Sequence, residues 1–237
     1  MEGFTYIDIF ETKGIEYLII IAFLLILIPF WILLNKESSA ANKIYKKLGI
    51  LTAGILKIPQ GLFFSKNHTW AFLDKSGIAN VGLDDFLIKI VGDVRLNLVK
   101  ISGNKVKKGE LLIEIIQNGK RLVINSPISG EVILANNSIV ENPTLLNQDP
   151  YAKGWIYKIR PSDWKSENRS FYLGEEASNW IKNELTRFKD FVSVSLGKYS
   201  SETSMITLQE GGELRQNILS ELEDKIWIDF QESFLIL

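Results

Sequence analysis

The sequence predicts a small, mainly β core of sandwich or barrel type, set between an N-terminal membrane-crossing helix and an α+β C-terminal extension. Three observations carry this reading. Tyr17 to Leu34, "YLIIIAFLLILIPFWILL", is an 18-residue run without a charge. From Phe63 to about Asp163 the chain breaks into short apolar runs separated by glycine, asparagine and proline, the rhythm of short strands joined by tight turns. Beyond Asp163 apolar residues return at helical spacing. With 237 residues and 46% hydrophobic content the chain can bury a sizeable core. Its formal net charge of −1 supplies no field for nucleic acid. It contains no cysteine and one histidine, His68, so disulfides, structural zinc, iron–sulfur ligation and a Cys-His nucleophile are excluded within the chain, and no metal site is expected.

The apolar run, as a helix rising about 1.5 Å per residue, covers roughly 27 Å of a hydrocarbon layer roughly 30 Å thick. A buried core helix is rarely apolar on every face. A signal peptide begins with basic residues, whereas Glu2, Asp8, Glu11 and Glu16 here face only Lys13. The expectation is a retained helix over 17–35 after a short extracytoplasmic tail, 1–16. Lys36, Lys43, Lys46 and Lys47 follow it against Glu37 alone, which places the bulk of the chain in the cytoplasm, as a single-pass protein of the cytoplasmic membrane with its N-terminus outside. In the juxtamembrane stretch 36–60, Ile44, Leu48, Leu51, Ile55 and Leu56 fall at helical spacing before Pro59, which predicts a helix lying on the bilayer or on the next domain.

The strand runs are "TWAFLD", "GIANVG", "DVRLNLV", "LLIEII", "RLVIN", "GEVILAN" and "GWIYKI". Around them stand motifs in a telling order: "FSKNHTW" with His68 and Trp70, "ANVGLDDF" with Gly82, "VGDV", "SPISGEV" with Pro127 and Gly130, and "ENPTLLNQDPYAKGWIYKIRPSD" with Pro143, Pro150, Tyr151, Gly154 and Trp155. Over residues 61–164 the chain resembles the glycine cleavage system H proteins. That resemblance implies the barrel-sandwich hybrid fold of lipoyl and biotinyl domains, with these residues as its structural framework. A bulkier residue at Gly154 would obstruct a tight approach.

The resemblance also implies a lipoyl-carrying lysine at a hairpin tip, ten residues after Gly109 and eight before Pro127. Both counts reach Gly119, and the glutamate three positions earlier in the family is Ile116 here. Asn118-Gly119 between two apolar runs predicts a two-residue type I′ turn, with Lys120 opening the return strand as a solvated, edge-protecting charge. No cofactor is therefore expected. Lipoate on Lys120, one residue past the tip, is the alternative, and the methionine-lysine-methionine setting of biotin carriers is absent. His68 is expected to be packed and hydrogen-bonded rather than a base, and Asp84 and Asp85, if on a strand, would face opposite ways.

In the extension, 165–237, "EEASNWIKNELTRFKDFVSV" aligns Ala177, Trp180, Ile181, Leu185 and Phe188 as a helix with an acidic start. "SMITL" reads as a strand and "EGGEL" as a turn. Leu214, Ile218, Leu222, Trp227, Phe230 and Phe234 then fall on a second helical stripe, from which Trp227, Phe230 and Phe234 are candidate partner-binding residues. The function expected is a non-enzymatic, non-lipoylated scaffold or docking subunit of a membrane-associated complex. Its partners are the bilayer and other protein subunits, with no nucleic acid and no small-molecule substrate, and family association suggests a redox or respiratory setting. The alternative is a membrane-tethered lipoyl carrier. A transport adaptor would carry a long helical hairpin where this chain has only Asn118-Gly119.

Overall fold

The computed structural model describes residues 9–35, 48–199 and 214–236. The chain divides into two units, Met1–Lys43 and Ile44–Leu237. The first contains helix α1 (Ile9–Asn35), which has Pro29 inside it. Its stretch Gly14–Ile32 is long and apolar enough to cross a membrane, and its side chains are exposed on all faces. The helix begins before residue 17 and so includes part of the expected tail. The lysines at 36, 43, 46 and 47, Ile44 and the "SMITL" strand lie outside the described residues.

The second unit is built on β1 (Ile50–Leu51), β2 (Phe63–Phe64), β3 (Thr69–Leu73), β4 (Ala79–Leu83), α2 (Asp85–Val91), β5 (Arg95–Leu98), β6 (Lys105–Val106), β7 (Leu111–Gln117), β8 (Lys120–Asn125) and β9 (Gly130–Ala135). It continues through α3 (Ser138–Glu141), α4 (Thr144–Gln148), β10 (Trp155–Pro161), α5 (Trp164–Glu167), α6 (Gly174–Tyr199), β11 (Leu214–Arg215), α7 (Ile218–Glu221) and α8 (Asp224–Phe234). A six-stranded antiparallel sheet, ordered β2-β3-β4-β10-β9-β6, and a three-stranded one, β5-β7-β8, form the expected β-sandwich. Their inner faces supply Val81, Val132, Ile156 and Ile159 on one side and Leu96, Leu112, Ile115, Leu122 and Ile124 on the other, all buried. Tyr157 joins the sheets. Its hydroxyl accepts from Lys100 N (3.0 Å) and is within donor range of the Lys100 (3.1 Å) and Leu112 (3.3 Å) carbonyls.

Glycines sit where side chains would collide. A Cβ on Gly130 would lie 2.2 Å from the Arg160 carbonyl oxygen, because β9 and β10 approach closely beside a register shift. One on Gly82 would strike the Trp70 indole at 2.7 Å, and one on Gly154 would lie 2.8 Å from Pro150 Cα, as the tight approach expected there requires.

The extension is part of the same core. Along α6 the buried stripe is Ala177, Ile181, Leu185, Phe188, Val192 and Leu196. It meets α8, where Phe188 and Phe230 pack edge to face at 5.8 Å and Phe230 and Phe234 stack at 4.8 Å. Trp227, Phe230 and Phe234 are 2%, 0% and 2% exposed, which corrects their assignment as partner-binding residues: their neighbours lie within this chain. The continuous terminal helix is also corrected, since the chain forms β11, breaks, forms the single turn α7 and restarts after Glu223. Leu214, placed in a turn from sequence, belongs to β11. The juxtamembrane helix does not extend through its described part either. Ile50 and Leu51 form β1 and pair with Arg215 and Leu214, because an extended segment buries both side chains and uses both partners' backbone groups.

Gly130→Ala should cost about 1 to 3 kcal/mol, since the obstacle is backbone that cannot move without parting β9 from β10. A denaturant titration in detergent, followed by tryptophan fluorescence, measures this. An unchanged midpoint would show that the approach relaxes freely.

Candidate functional site

Two linked places concentrate the polar chemistry: the β7–β8 hairpin tip and the buried surroundings of His68. At the tip, Gln117 pairs with Lys120, and Asn118 (φ 50°) and Gly119 (φ 82°) both adopt the left-handed conformation of a type I′ turn. Gln117 Nε2 donates to the carbonyls of Val91 (3.0 Å) and Asp93 (2.6 Å), fixing the base of the tip to the end of α2. An open groove of about 630 Å³ runs between the tip, Asp93–Arg95 and Pro143–Thr144. Its lining contains no lysine.

Lys120 is not the solvated edge charge expected from sequence. Its side chain is 15% exposed, and its ammonium donates to the carbonyls of Leu222, the C-cap of α7, and Ser220 in its last turn, 4.0 Å from Asp224 and 5.6 Å from the centre of the Trp227 ring. It thus serves carbonyls at a helix C-terminus, where a cation is favoured. The β8 edge is covered by α8 instead, because the Gln231 amide accepts from Val123 N (2.6 Å) and donates to Val123 O (2.9 Å), imitating a neighbouring strand.

His68 has φ 58° and is fully buried in the turn between β2 and β3, where its N–H bonds Ser65 O (3.1 Å) and its carbonyl accepts from Asp84 N (3.0 Å). Its ring stacks among Phe86, Trp180 and Phe234. Nδ1 lies 2.8 Å from Asp84 Oδ2, and Nε2 lies 3.4 Å from Glu184 Oε1 on α6, too long for a well-formed hydrogen bond but within ion-pair range. Burial opposes charging the imidazole. The Asp84 carboxylate, through charge and hydrogen bond, and then Glu184 outweigh it and raise the pKa to about 9. Burial likewise pushes against ionising Glu184, but His68 and the Arg187 guanidinium hold its carboxyl below the usual range. Arg187 also donates to Ser233 O (3.0 Å) and lies 3.8 Å over the Phe234 ring, so the chain of charges reaches α8.

Asp84 and Asp85 do not lie within a strand. Asp84 caps α2, accepting from Leu87 N at 2.8 Å, while Asp85 opens it, accepting from Lys57 N at 2.9 Å. Burial raises the Asp85 carboxyl against the opposing pull of Lys89. Tyr151 Oη accepts from Asp85 N (3.0 Å) and donates to Lys57 O (2.6 Å), while Trp70, Tyr151 and Trp155 belong to an aromatic cluster with Phe64. His68, with no exposed surface, cannot act on a substrate, and among the described residues no three His, Asp or Glu side chains converge to hold a metal. Pro127 is buried just before β9, Pro143 borders the groove and Pro150 backs Gly154. Sequence reasoning missed Glu184, Arg187 and Gln231. Glu184 carried a signal, because it is an acid lying within the apolar stripe between Ile181 and Phe188.

Folded His68 titrates near 9 and the unfolded residue near 6.5, so the native state holds the extra proton between these values. Its contribution is complete below about pH 6.5 and is lost as pH rises to about 9, at up to about 1.4 kcal/mol per pH unit. Urea midpoints across pH 6 to 10 should fall within that window. His68→Gln should flatten the profile and cost about 3 to 5 kcal/mol, because two buried carboxylates lose their shared cation. A flat wild-type profile would exclude a charged His68.

The glycine cleavage H-protein family profile matches residues 62–184, past the expected end at 164 and into α6. A probable glycine cleavage system H protein of Pyrococcus abyssi is 32% identical over 134 residues, 56% of this chain and 99% of the relative. The glycine cleavage system H protein of Halothermothrix orenii is 33% identical over 129 residues, 54% of this chain and 98% of its own. Among solved structures, a glycine cleavage system H protein from Mycobacterium marinum aligns with 44% of this chain and 87% of its own at 25% identity and a TM-score of 0.41. With its sandwich of two antiparallel sheets and a match over half its length, the chain belongs to the glycine cleavage H-protein family.

Proposed function

We propose that this chain is a membrane-anchored, non-lipoylated H-protein-like subunit that works as a scaffold or docking component of a membrane-associated complex. The observation carrying this is the hairpin tip. The position where the family carries its lysine is Gly119 at φ 82°, and the adjacent lysine has its ammonium committed to the Leu222 and Ser220 carbonyls. A carrier arm must leave its domain to visit other subunits, whereas this amine is held against the chain's own extension. Helix α1 supports the anchor, and the extension encloses the domain. Family association favours a redox or respiratory setting, and the partners are other protein subunits and the bilayer. Trp227, Phe230 and Phe234 are core, so the docking surface belongs to other residues.

Protein purified from native membranes should yield the Lys120 peptide unmodified by mass spectrometry. A lipoyl adduct there would overturn this reading in favour of the tethered carrier. Lys120→Ala should cost about 1 to 2 kcal/mol, since a charged donor is withdrawn from part-buried carbonyls, whereas a freely solvated lysine would be nearly silent. A thermal melt in detergent separates the two. As the chain has no cysteine, one introduced near the C-terminus reports orientation. It should resist a membrane-impermeant maleimide in intact cells and react after permeabilisation.

A further inference from the structure

We infer that the loop between β5 and β6, residues 99–104, is a contact site for an anionic lipid surface. The inference rests on the membrane-anchored reading above. Val99 to Lys108, "VKISGNKVKK", carries four lysines and no acid. Ile101, at the loop tip, is 69% exposed, Val99 is 38% exposed, and on neighbouring β9 Leu134 is 47% exposed.

The tip is held rather than loose. Ile101 N donates to Asn104 Oδ1 (3.1 Å), Asn104 N to Ile101 O (3.1 Å), Gly103 N to Val132 O (2.8 Å) and Ser102 Oγ to Ile133 O (2.7 Å). Lys100 N is fixed by Tyr157 Oη (3.0 Å). Side chains displayed this way lose little conformational freedom on contact.

The nearby charges sort into committed and free. Lys100 pairs with Glu110, Lys108 reaches Ser170 Oγ and Glu167 O, and Glu131 pairs with Arg160. Lys105 and Lys107 are exposed beside the loop, with Lys105 opposite Glu131 in the ladder and Lys107 near Glu110. Both carboxylates are already matched, which leaves cationic character around an aliphatic tip. Aliphatic groups entering the head-group layer, with lysines beside the phosphates, satisfy both kinds of surface together. For an anchored chain, a bilayer is also the surface at highest effective concentration.

The absence of cysteine allows a direct test on the full chain. Ile101→Cys would carry an environment-sensitive dye in vesicles of phosphatidylcholine with phosphatidylglycerol, and Val194→Cys, at a 70% exposed position on α6, would serve as control. The Ile101 dye should shift to the blue and be quenched by lipid-borne quenchers. Its membrane-contacting fraction should fall in phosphatidylcholine alone, at high salt and in Lys105→Glu/Lys107→Glu, by about fivefold per lysine. The control dye should remain in water throughout. A dye at 101 that stays in water while the chain floats with anionic vesicles overturns the inference and leaves the anchored reading intact. A chain that does not float overturns both. A dye buried in native membranes but not in pure lipid assigns the loop to a protein partner and overturns the lipid proposal.

Discussion

A buried imidazole between two carboxylates is the constraint on which the other packing relations converge. His68 comes from the β2–β3 turn, Asp84 from the start of α2 and Glu184 from α6, and Arg187 carries the network to the end of α8. Removing the proton would leave two carboxylates in a space walled by Phe86, Trp180 and Phe234, so the alternation of charges fixes how closely these elements approach. Left-handed backbone at a non-glycine residue persists because bonds on both sides of His68 determine it.

The same network explains why the extension is not an appendage. Apolar packing alone would let α6 slide along the sandwich at modest cost, since aliphatic contacts have little direction. Glu184 needs both His68 and Arg187, and Gln231 needs both backbone groups of Val123, so register is set by polar groups within an otherwise greasy interface. Lys120 contributes at a third point by binding carbonyls at the C-terminal end of α7. The lysine that opens β8 is thereby tied into the internal framework.

The seven longer strands, the type I′ turn and α6 were legible in the sequence because each leaves a local period or a turn dipeptide. What escaped was decided at a distance. Ile50 and Leu51 fit a helical stripe, and nothing near them shows that a partner strand arrives from Leu214 and Arg215. Trp227, Phe230 and Phe234 read from sequence as a candidate contact surface because only the placement of α6 beside them shows that their neighbours lie within this chain. Lys120 looked solvated because its acceptors lie on a distant segment whose fold is a break, a turn and a restart rather than one helix. The Asn118-Gly119 turn was the opposite case, because a turn dipeptide between two apolar runs is met by left-handed backbone at both residues.

Pairing β1 with β11 also gives the domain a timetable. During synthesis Ile50 and Leu51 emerge on the order of ten seconds before Leu214 and Arg215, at about 5 to 20 residues per second. Through that interval the β8 edge lacks Gln231 and the Lys120 ammonium lacks its acceptors. The sandwich can close on the ribosome, but its exposed edge and the apolar faces awaiting α8 then depend on chaperone protection or on prompt arrival of the remaining chain. Slowing translation after α6 would lengthen this vulnerable period, whereas a faster passage would favour enclosure before nascent neighbours can pair with the open strand.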